Sequence, residues 1–296
     1  MRSSNKLTRL SIAIGTKCNF NCGHCTISNT DKGVSLTQKE IRTLRAAVRD
    51  LSPKRMLFTG GEPTLYIKDI NEILSAHPDL EKCAVIVTTN AHFGKSEEAC
   101  RKVLSSFKRI TGVQVSYDKF HAKFSPLSNL ANVSGTAKKM GLTCTVLLAV
   151  QSPFDFAILE EIKKIGKLPV CVQRVLPLGE AKRNDVAFVH PALDPTIFRR
   201  KCQNRSQMTY MCGKGFSWCC SELLFNNPHM KFAHRTIKGQ LGSRFYKLIR
   251  NNTFGQLMRR FNISKDGLLP AHSEPCVICN YIFEEAGKKG LLNRQE

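Results

Sequence analysis

The chain is poor in acidic residues, in tyrosine and tryptophan, and in long apolar runs. Its 296 residues include 23 Asp and Glu against 45 Lys and Arg, one Trp and five Tyr. No stretch approaches the ~20 consecutive apolar residues of a membrane span, and no apolar block follows the charged residues at the start. We therefore expect no membrane segment, no secretory signal and a cytoplasmic location.

The shortage of acidic residues leaves a formal net charge of +22. Such a charge attracts anions, including nucleic acid, phosphorylated metabolites and acidic peptides. However, the longest uninterrupted basic run is only Arg199-Arg200-Lys201, and the single Trp218 provides no base-stacking surface. A nucleic-acid-binding protein, or a tRNA-modifying one, is therefore the alternative interpretation.

Short apolar runs alternate with amphipathic stretches over the first part of the chain. Thr37 and Glu40 have the spacing of a capping box at the start of the first helix. The predicted strands span residues 7–14, 55–59, 84–89, 113–117, 143–150 and 170–175, and the predicted helices span residues 36–50, 67–75, 97–106, 130–140 and 156–165. Such alternation indicates parallel strands joined by right-handed crossovers.

Six βα units fall short of the ~250 residues of a closed eight-stranded barrel. The fold class is therefore predicted to be α/β, with a partial (β/α)6 TIM-like barrel over residues 1–190. The alternation stops after Pro191, and residues 191–296 are predicted to form a small Cys-rich α+β domain.

Cysteine is abundant, with 13 residues. In a reducing cytosol so many thiols favour metal binding over disulfides. Cys18, Cys22 and Cys25 lie on the loop after the first strand, with no fourth cysteine close by in sequence. Structural zinc sites use four ligands, whereas three thiolates on an iron–sulfur cluster leave one iron open. His24 lies inside this loop and is expected to pack against the cluster.

A second motif, Gly60-Gly61-Glu62-Pro63, follows the second strand, where Thr59 ends it. Two glycines at the end of a strand allow close approach of the backbone to a ligand, and their carbonyls with the Glu62 carboxylate are acceptors for an amino group.

With this order and spacing, the two motifs resemble the radical S-adenosylmethionine superfamily. The resemblance implies that S-adenosylmethionine binds the open iron of a 4Fe–4S cluster through its amino and carboxylate groups. It further implies reductive cleavage to a 5′-deoxyadenosyl radical that abstracts hydrogen from an unactivated C–H bond, with an external donor such as flavodoxin or ferredoxin. Members usually have an aromatic residue where His24 stands here.

Other candidates lie where barrel enzymes place their chemistry, at the carboxyl ends of strands. Asn90 is expected to bind the ribose, or else to cap a turn. Ser116 and Asp118 are expected to contact cofactor or substrate, with His121 as a base. Gln173 is a further cofactor-binding candidate, and Arg174 can bind a carboxylate of substrate or cofactor in a bidentate pair.

A second set of cysteines follows the barrel. Cys276 and Cys279 form a CxxC turn, and a hairpin turning at residues 213–215 separates Cys202 from Cys220. This arrangement resembles the Twitch type of auxiliary domain, a shortened relative of the SPASM domain, and implies one additional 4Fe–4S cluster. The first choice of ligands is Cys202, Cys220, Cys276 and Cys279, with Cys212 or Cys219 as alternates; zinc is the competing metal.

The resemblance implies an oxidoreductase in which the auxiliary cluster assists oxidation or cross-linking of the substrate. Two substrate classes remain open: a small metabolite, such as an amino sugar or nucleoside, and a ribosomal peptide in natural product biosynthesis. An anionic substrate fits the basic chain. Because the triplet begins at Cys18, no N-terminal peptide-recognition domain is expected, which slightly favours the metabolite or a peptide delivered by a separate protein.

Overall fold

The computed structural model describes residues 7–27, 33–204, 206–221 and 227–292, which form one eight-stranded sheet joined by helices. Numbered along the chain, the strands are β1 (Arg9–Ala13), β2 (Arg55–Thr59), β3 (Ala84–Thr89), β4 (Gly112–Ser116), β5 (Thr143–Val150), β6 (Val170–Arg174), β7 (Gln207–Met211) and β8 (Gly215–Ser217). Their spatial order is β6-β5-β4-β3-β2-β1-β7-β8, and every neighbouring pair is parallel except β7 with β8.

Helices follow each of the first six strands. They are α1 (Gln38–Leu51), α2 (Ile67–Leu74), α3 (Glu97–Ser105), α4 (Leu127–Lys139), α5 (Ile158–Lys164) and α6 (Gly179–Arg183), and the C-terminal region adds α7 (Ile237–Gly242), α8 (Arg244–Asn251), α9 (Phe254–Arg260) and α10 (Pro275–Lys288). The sheet is open, with β6 and β8 at its two edges. The prediction of a partial (β/α)6 barrel is confirmed.

The first helix shows how local sequence sets these boundaries. The Thr37 backbone N–H donates to Glu40 Oε2 over 2.9 Å, and the Glu40 N–H donates to Thr37 Oγ1 over 3.3 Å, which is the capping box expected from the sequence. Ile41, Leu44 and Val48 recur at helical spacing and are buried on the side that faces the sheet core. Ser52 ends the helix in the left-handed region at φ 42°.

The C-terminal region completes the barrel sheet. Strand β7 pairs with β1 in parallel over five residue pairs, from Arg9 with Gln207 to Ala13 with Met211. The same hydrophobic core contains β1 residues such as Ile12 and α10 residues such as Phe283. The residues on either side of position 190 therefore share one sheet and one core, and the division into residues 1–190 and 191–296 stays a prediction.

No helix in the described part of the chain is long and apolar enough to cross a membrane. The two longest helices, α1 and α10, have 14 residues each.

Candidate active site

The loop after β1 brings three thiols to the carboxyl edge of the sheet. Cys22 is buried, and Cys18 and Cys25 are half-buried. Two backbone N–H groups, those of Phe20 and Ile27, point at Sγ of Cys18 over 3.5 Å and Sγ of Cys25 over 3.4 Å. N–H donors of this kind stabilise thiolate ligands.

The three thiols also lie within electrostatic reach of one another. Burial, together with the charges of Cys25, Cys18 and Asp118, raises the pKa of Cys22 to about 12. Burial likewise raises the pKa of Cys18 and of Cys25. Three thiolates gathered in this way need a bound cation to offset their mutual repulsion. This donor set fits an iron–sulfur cluster held by Cys18, Cys22 and Cys25.

The two glycines after β2 allow that turn to pack against the cysteine loop. The Gly61 N–H donates to the Gly15 carbonyl over 2.8 Å, and the Glu62 N–H donates to the Lys17 carbonyl over 2.9 Å. A Cβ on Gly61 would lie 2.1 Å from the Lys17 oxygen, and Gly60 has φ 130°. From the sequence we expected these glycines to let the backbone approach a ligand closely. The close approach in the structure is to the cysteine loop itself, although both glycines also line the cavity described below.

The Glu62 carboxylate ties the ends of β2 and β3 together. Its Oε1 accepts hydrogen bonds from Thr64 and from Thr89 Oγ1, and its Oε2 accepts one from the Asn90 N–H over 2.8 Å. Burial raises the pKa of Glu62, and these hydrogen bonds oppose the rise. Because Oε2 has a single partner and the residue lines the cavity, this oxygen remains able to accept from an amino group.

Asn90 anchors the cysteine loop to the end of β3. Its Nδ2 donates to Asn19 Oδ1 over 2.7 Å and lies 3.6 Å from Cys18 Sγ, and its Oδ1 accepts from the His92 N–H over 3.0 Å. Of the two roles expected for Asn90, the contact of Oδ1 with the His92 N–H is that of a turn cap, and the ribose contact stays a prediction. The residue also lines the cavity.

Beside the thiols, Asp118 holds two imidazoles. His121 Nδ1 lies 2.9 Å and His24 Nε2 lies 3.7 Å from Asp118 Oδ2. Burial raises the pKa of Asp118, but its hydrogen bonds and the charges of His121 and His24 outweigh burial, so the pKa falls below its ordinary value. The His24 ring stacks on Phe120 at 4.3 Å. The three residues form a compact polar group beside the cysteine loop.

One cavity of about 910 Å³ unites most of the residues expected from the sequence. It is lined by Cys18, Cys22 and Cys25 on the loop after β1, which also reaches α6; along the strand ends by Thr59, Gly60, Gly61, Glu62, Asn90, Ser116 and His121; and at the far end, beside β6, by Gln173, Arg174 and Cys276. Asp118 is not among the lining residues and is only 1% exposed, so it acts on the cavity through His121.

An ion pair that the sequence did not indicate closes the far end. Arg174 Nη1 donates to Glu274 Oε1 over 2.7 Å, and His190 Nε2 lies 3.2 Å from the same oxygen. The Arg174 guanidinium lies 4.8 Å from the centre of the Phe188 ring. Glu274 precedes Pro275 and the CxxC motif, which is the only sequence signal that points to it.

Tyr66 is a second residue that the sequence reasoning missed. Its Oη accepts from the Lys17 N–H over 2.9 Å and donates to the Val34 carbonyl over 3.3 Å. The hydroxyl therefore fixes both ends of the segment that contains the three cysteines. No sequence pattern identifies it.

Five C-terminal cysteines lie within electrostatic reach of one another at the far end of the cavity, where Cys276 lines it. Burial raises the pKa of Cys276 to about 12, and the charges of Cys220 and Cys202 contribute. Burial also raises the pKa of Cys279, with contributions from Cys219, Cys202 and Cys276. The CxxC pair, expected on a turn, lies in the first turn of α10.

Cys212 lies apart from this group. Burial raises its pKa to about 12, and the charges that add to the effect are those of Glu40 and Asp69. The thiols that the structure brings together are thus those of Cys202, Cys219, Cys220, Cys276 and Cys279, which contain the first-choice set and one of the two alternates. A cluster with four thiolates fits this donor set.

The comparisons with known proteins agree with this geometry. The model of the Radical SAM superfamily matches residues 12–167, which is more than half of the chain. The protein therefore belongs to the radical SAM superfamily and is an enzyme that uses S-adenosylmethionine with a 4Fe–4S cluster.

Individual relatives share either low identity or only a short region with this chain. The chain is 22% identical to the putative peptide biosynthesis protein YydG of Bacillus subtilis (strain 168), over 85% of this chain and 96% of that protein. It is 32% identical to the probable GTP 3',8-cyclase of Archaeoglobus fulgidus, but over only 28% of either chain.

A solved structure shares the whole fold. Native anSMEcpe with bound AdoMet and Cp18Cys peptide has a TM-score of 0.56 at 13% identity, and the alignment covers 96% of this chain and 98% of that one. The similarity of fold therefore extends over the region after the barrel.

Proposed function

We propose that this protein is a peptide-modifying radical S-adenosylmethionine enzyme that abstracts hydrogen from an unactivated carbon, with an auxiliary 4Fe–4S cluster that assists oxidation or cross-linking. One observation carries the proposal: the Cys18–Cys22–Cys25 loop and Cys276 line the same cavity. A substrate in that cavity has access both to a site for radical generation and to an electron acceptor.

When bound, the N-terminal cluster and S-adenosylmethionine supply a carbon-centred radical. The chain supplies the environment for it. Cys18, Cys22 and Cys25 hold the cluster, and Asn90 fixes the loop through its hydrogen bonds. Glu62 Oε2 and the backbone at Gly60 and Gly61 accept hydrogen bonds from the amino group of the cofactor, while Thr59, Ser116 and Gln173 line the space beside it.

His121 is the candidate proton acceptor. Asp118 accepts from His121 Nδ1 and from two backbone N–H groups, those of Phe120 and His121, so the imidazole is held in one orientation. With Nδ1 engaged, Nε2 is left to take a proton from a substrate that has lost an electron. Arg174, at the far end, orients a substrate carboxylate or carbonyl through guanidinium N–H groups not used by Glu274.

A peptide substrate is supported by three features. The relative that matches most of this chain is named as a putative peptide biosynthesis protein. The cavity, at about 910 Å³, lies near the upper end of the ~300–1,000 Å³ range of small-molecule pockets, so it has space for a side chain beside the cofactor. The net charge of +22 favours an acidic peptide and an acidic electron donor such as flavodoxin or ferredoxin.

The test is anaerobic reconstitution with iron and sulfide. We expect about eight irons per chain, as two four-iron clusters contain, and formation of methionine and 5′-deoxyadenosine with dithionite. A supplied acidic peptide should lose two hydrogens by mass spectrometry. Retention of four irons, or cleavage of the cofactor without any perturbation of the cluster spectrum on its addition, would contradict the proposal.

A nucleotide substrate is the second candidate, because the chain is locally 32% identical to a probable GTP 3',8-cyclase. The same reconstituted enzyme incubated with GTP distinguishes the two. A GTP-dependent product together with unchanged peptide would transfer the assignment to nucleotide chemistry.

A further inference from the structure

The edge strand β6 has free hydrogen-bonding groups on its outer side. It pairs with β5 only, in parallel, from Val146 with Val170 to Val150 with Arg174. The Val146 N–H donates to the Pro169 carbonyl, and the Val175 N–H donates to the Val150 carbonyl. Since the direction of backbone groups alternates along a strand, residues 169, 171, 173 and 175 face β5, and residues 170, 172 and 174 face outwards.

This edge is not covered by the described part of the chain. Residues 171–174 are exposed, whereas β1 to β4, inside the sheet, are mostly buried. An exposed strand of five residues is a template for another extended chain. Val172 and Arg174 also line the cavity, so a chain paired with β6 would run beside the cavity opening.

Four exposed apolar side chains lie on β6 or on segments that adjoin the end of its neighbour β5. Phe154, Phe156, Val172 and Val189 are 88%, 40%, 45% and 69% exposed, and they are half of the eight exposed large hydrophobic residues in the described chain. Phe156 and Val172 line the same cavity, and the Val189 N–H donates to the Gln151 carbonyl at the end of β5. Clustering at one strand edge distinguishes this patch from scattered surface apolar residues.

The net charge of the protein favours one kind of binding partner at the β6 edge. A second copy of the protein would bring another +22 to the edge, so self-pairing is opposed by repulsion. An acidic peptide is attracted instead. In an extended peptide, successive side chains point to opposite faces. Apolar side chains on one face can therefore contact the apolar patch while acidic side chains on the other face point to solvent.

We infer that the peptide substrate docks on β6 as an added strand, rests alternate apolar side chains on Phe154, Phe156, Val172 and Val189, and so directs its reactive residue into the cavity. This inference rests on the proposed peptide-modifying function. It adds the mode of binding: backbone hydrogen bonds to residues 170, 172 and 174 provide affinity, and the patch provides the preference for apolar residues at every second position.

The test uses the iron-loaded enzyme and a fluorescein-labelled peptide of about six Val-Glu repeats, long enough to span the strand at ~3.3 Å per residue. Val172→Pro removes one outward N–H and leaves the bonds to β5 in place, and proline is tolerated at strand edges. We expect it to weaken binding about tenfold, the effect of ~1.4 kcal/mol, as measured by fluorescence anisotropy. Val172→Ala keeps the N–H and should weaken binding only about threefold, through lost apolar contact.

Changing the probe tests the same point without altering the protein. Two peptides are compared, one N-methylated on every Val and one on every Glu. Strand pairing requires that one of them loses binding and the other keeps it, because only alternate N–H groups face β6. Equal binding by both peptides, equal binding by wild type and Val172→Pro, or no binding of the unmodified peptide would overturn the inference.

Two further results test the docking edge and the proposed function separately. A dimer in light scattering that Val172→Pro converts to a monomer would assign the edge to self-association and overturn peptide docking. Strand-like binding of the probe, combined with production of 5′-deoxyadenosine only in the presence of GTP, would refute the proposed function while leaving the docking edge in place.

Discussion

Arg174 donates a hydrogen bond to Glu274 over 2.7 Å, and this contact joins the last barrel strand to the N-terminus of the helix that contains Cys276 and Cys279. Glu274 is the N-cap residue of α10, so its carboxylate also lies at the positive end of the helix dipole. The position of the CxxC motif relative to the cavity therefore depends on a polar contact between the two regions of the chain.

A double-mutant cycle with Arg174→Ala and Glu274→Ala should reveal this coupling. The Arg174 side chain is 52% exposed and that of Glu274 is 15% exposed, so we expect a coupling of about 1 kcal/mol, at the upper end for solvent-accessible pairs. Urea unfolding of the iron-loaded protein measures it. The matched cycle at Lys163 and Glu160, an exposed pair one helical turn apart, should give only about 0.3 kcal/mol. Equal couplings in the two cycles would contradict the structural role assigned to the first pair.

Replacement of Cys18, Cys22 and Cys25 by Ala together should abolish cleavage of S-adenosylmethionine. The iron content should fall by about four per chain, because the three thiolates hold one four-iron cluster. Iron analysis and 5′-deoxyadenosine quantification provide the two readouts. Cys100→Ala, in the α3 core, is the control and should keep both values. Loss of iron in the control, or cleavage in the triple variant, would argue against this ligand set.

Cys276→Ala with Cys279→Ala should remove about half of the iron, since a second cluster of about four irons depends on this pair. Cofactor cleavage should persist without coupling to the substrate. Cys212→Ala should keep full iron content, because Cys212 is near Glu40 and Asp69 and not among the converging thiols. If Cys212→Ala lost as much iron as the double variant, the assignment of Cys212 outside the site would be wrong.

Asn90→Ala should make the N-terminal cluster harder to reduce. The amide Nδ2 lies 3.6 Å from Cys18 Sγ, and hydrogen bonds to ligand sulfur raise reduction potentials. Redox titration followed by electron paramagnetic resonance measures the shift, with Asn132→Ala as control because its amide donates to the Gly94 carbonyl instead. An unchanged potential with an unchanged cluster content would show that the contact has no electronic effect.

Glu40→Gln should destabilise the fold by about 1 kcal/mol at neutral pH, because the carboxylate accepts on both oxygens from Thr37, Tyr210 and Gly213, whereas a Gln amide has one neutral acceptor oxygen. Burial raises the pKa of Glu40, but hydrogen bonds from Thr37, Gly213 and Tyr210 outweigh burial and lower it. Because the pKa is lower in the folded state, the ionised carboxylate stabilises the fold at pH values above its pKa in the unfolded state. This stabilisation is lost as the pH falls through the pKa in the folded state. The difference between wild type and variant should therefore be largest near pH 7 and shrink below the reference value of 4.5.

Thermal melting as a function of pH measures this effect. Glu98→Gln, at an exposed position of the first turn of α3, provides the control. A wild-type advantage over Glu40→Gln that did not shrink on acidification would contradict the assigned pKa direction.

Much of the barrel was predictable because its signals are local. Strands β2, β3 and β5 have the bounds expected from the sequence, since each is an apolar run with sharp polar or glycine ends. The capping box of Thr37 and Glu40 likewise requires only neighbouring residues. The cysteine triplet was identifiable for the same reason: three ligands on one loop need no tertiary information.

Contacts between distant residues could not be predicted in this way. The pairing of β7 with β1 joins segments about 200 residues apart, and nothing in either sequence specifies the partner. The contact of Arg174 with Glu274 spans 100 positions. Cys220 was a first-choice ligand and Cys212 an alternate, because spacing alone does not exclude Cys212; the positions of the two residues at opposite ends of the β7–β8 hairpin separate them.

The parallel ladder between β1 and β7 has a consequence for how the protein is made. Strand β1 cannot complete its second row of hydrogen bonds until residues 207–211 have been synthesised. Until then it keeps an exposed edge, and closing so long a loop slows folding. Nascent chains should therefore depend on chaperones at least until β7 has left the ribosome.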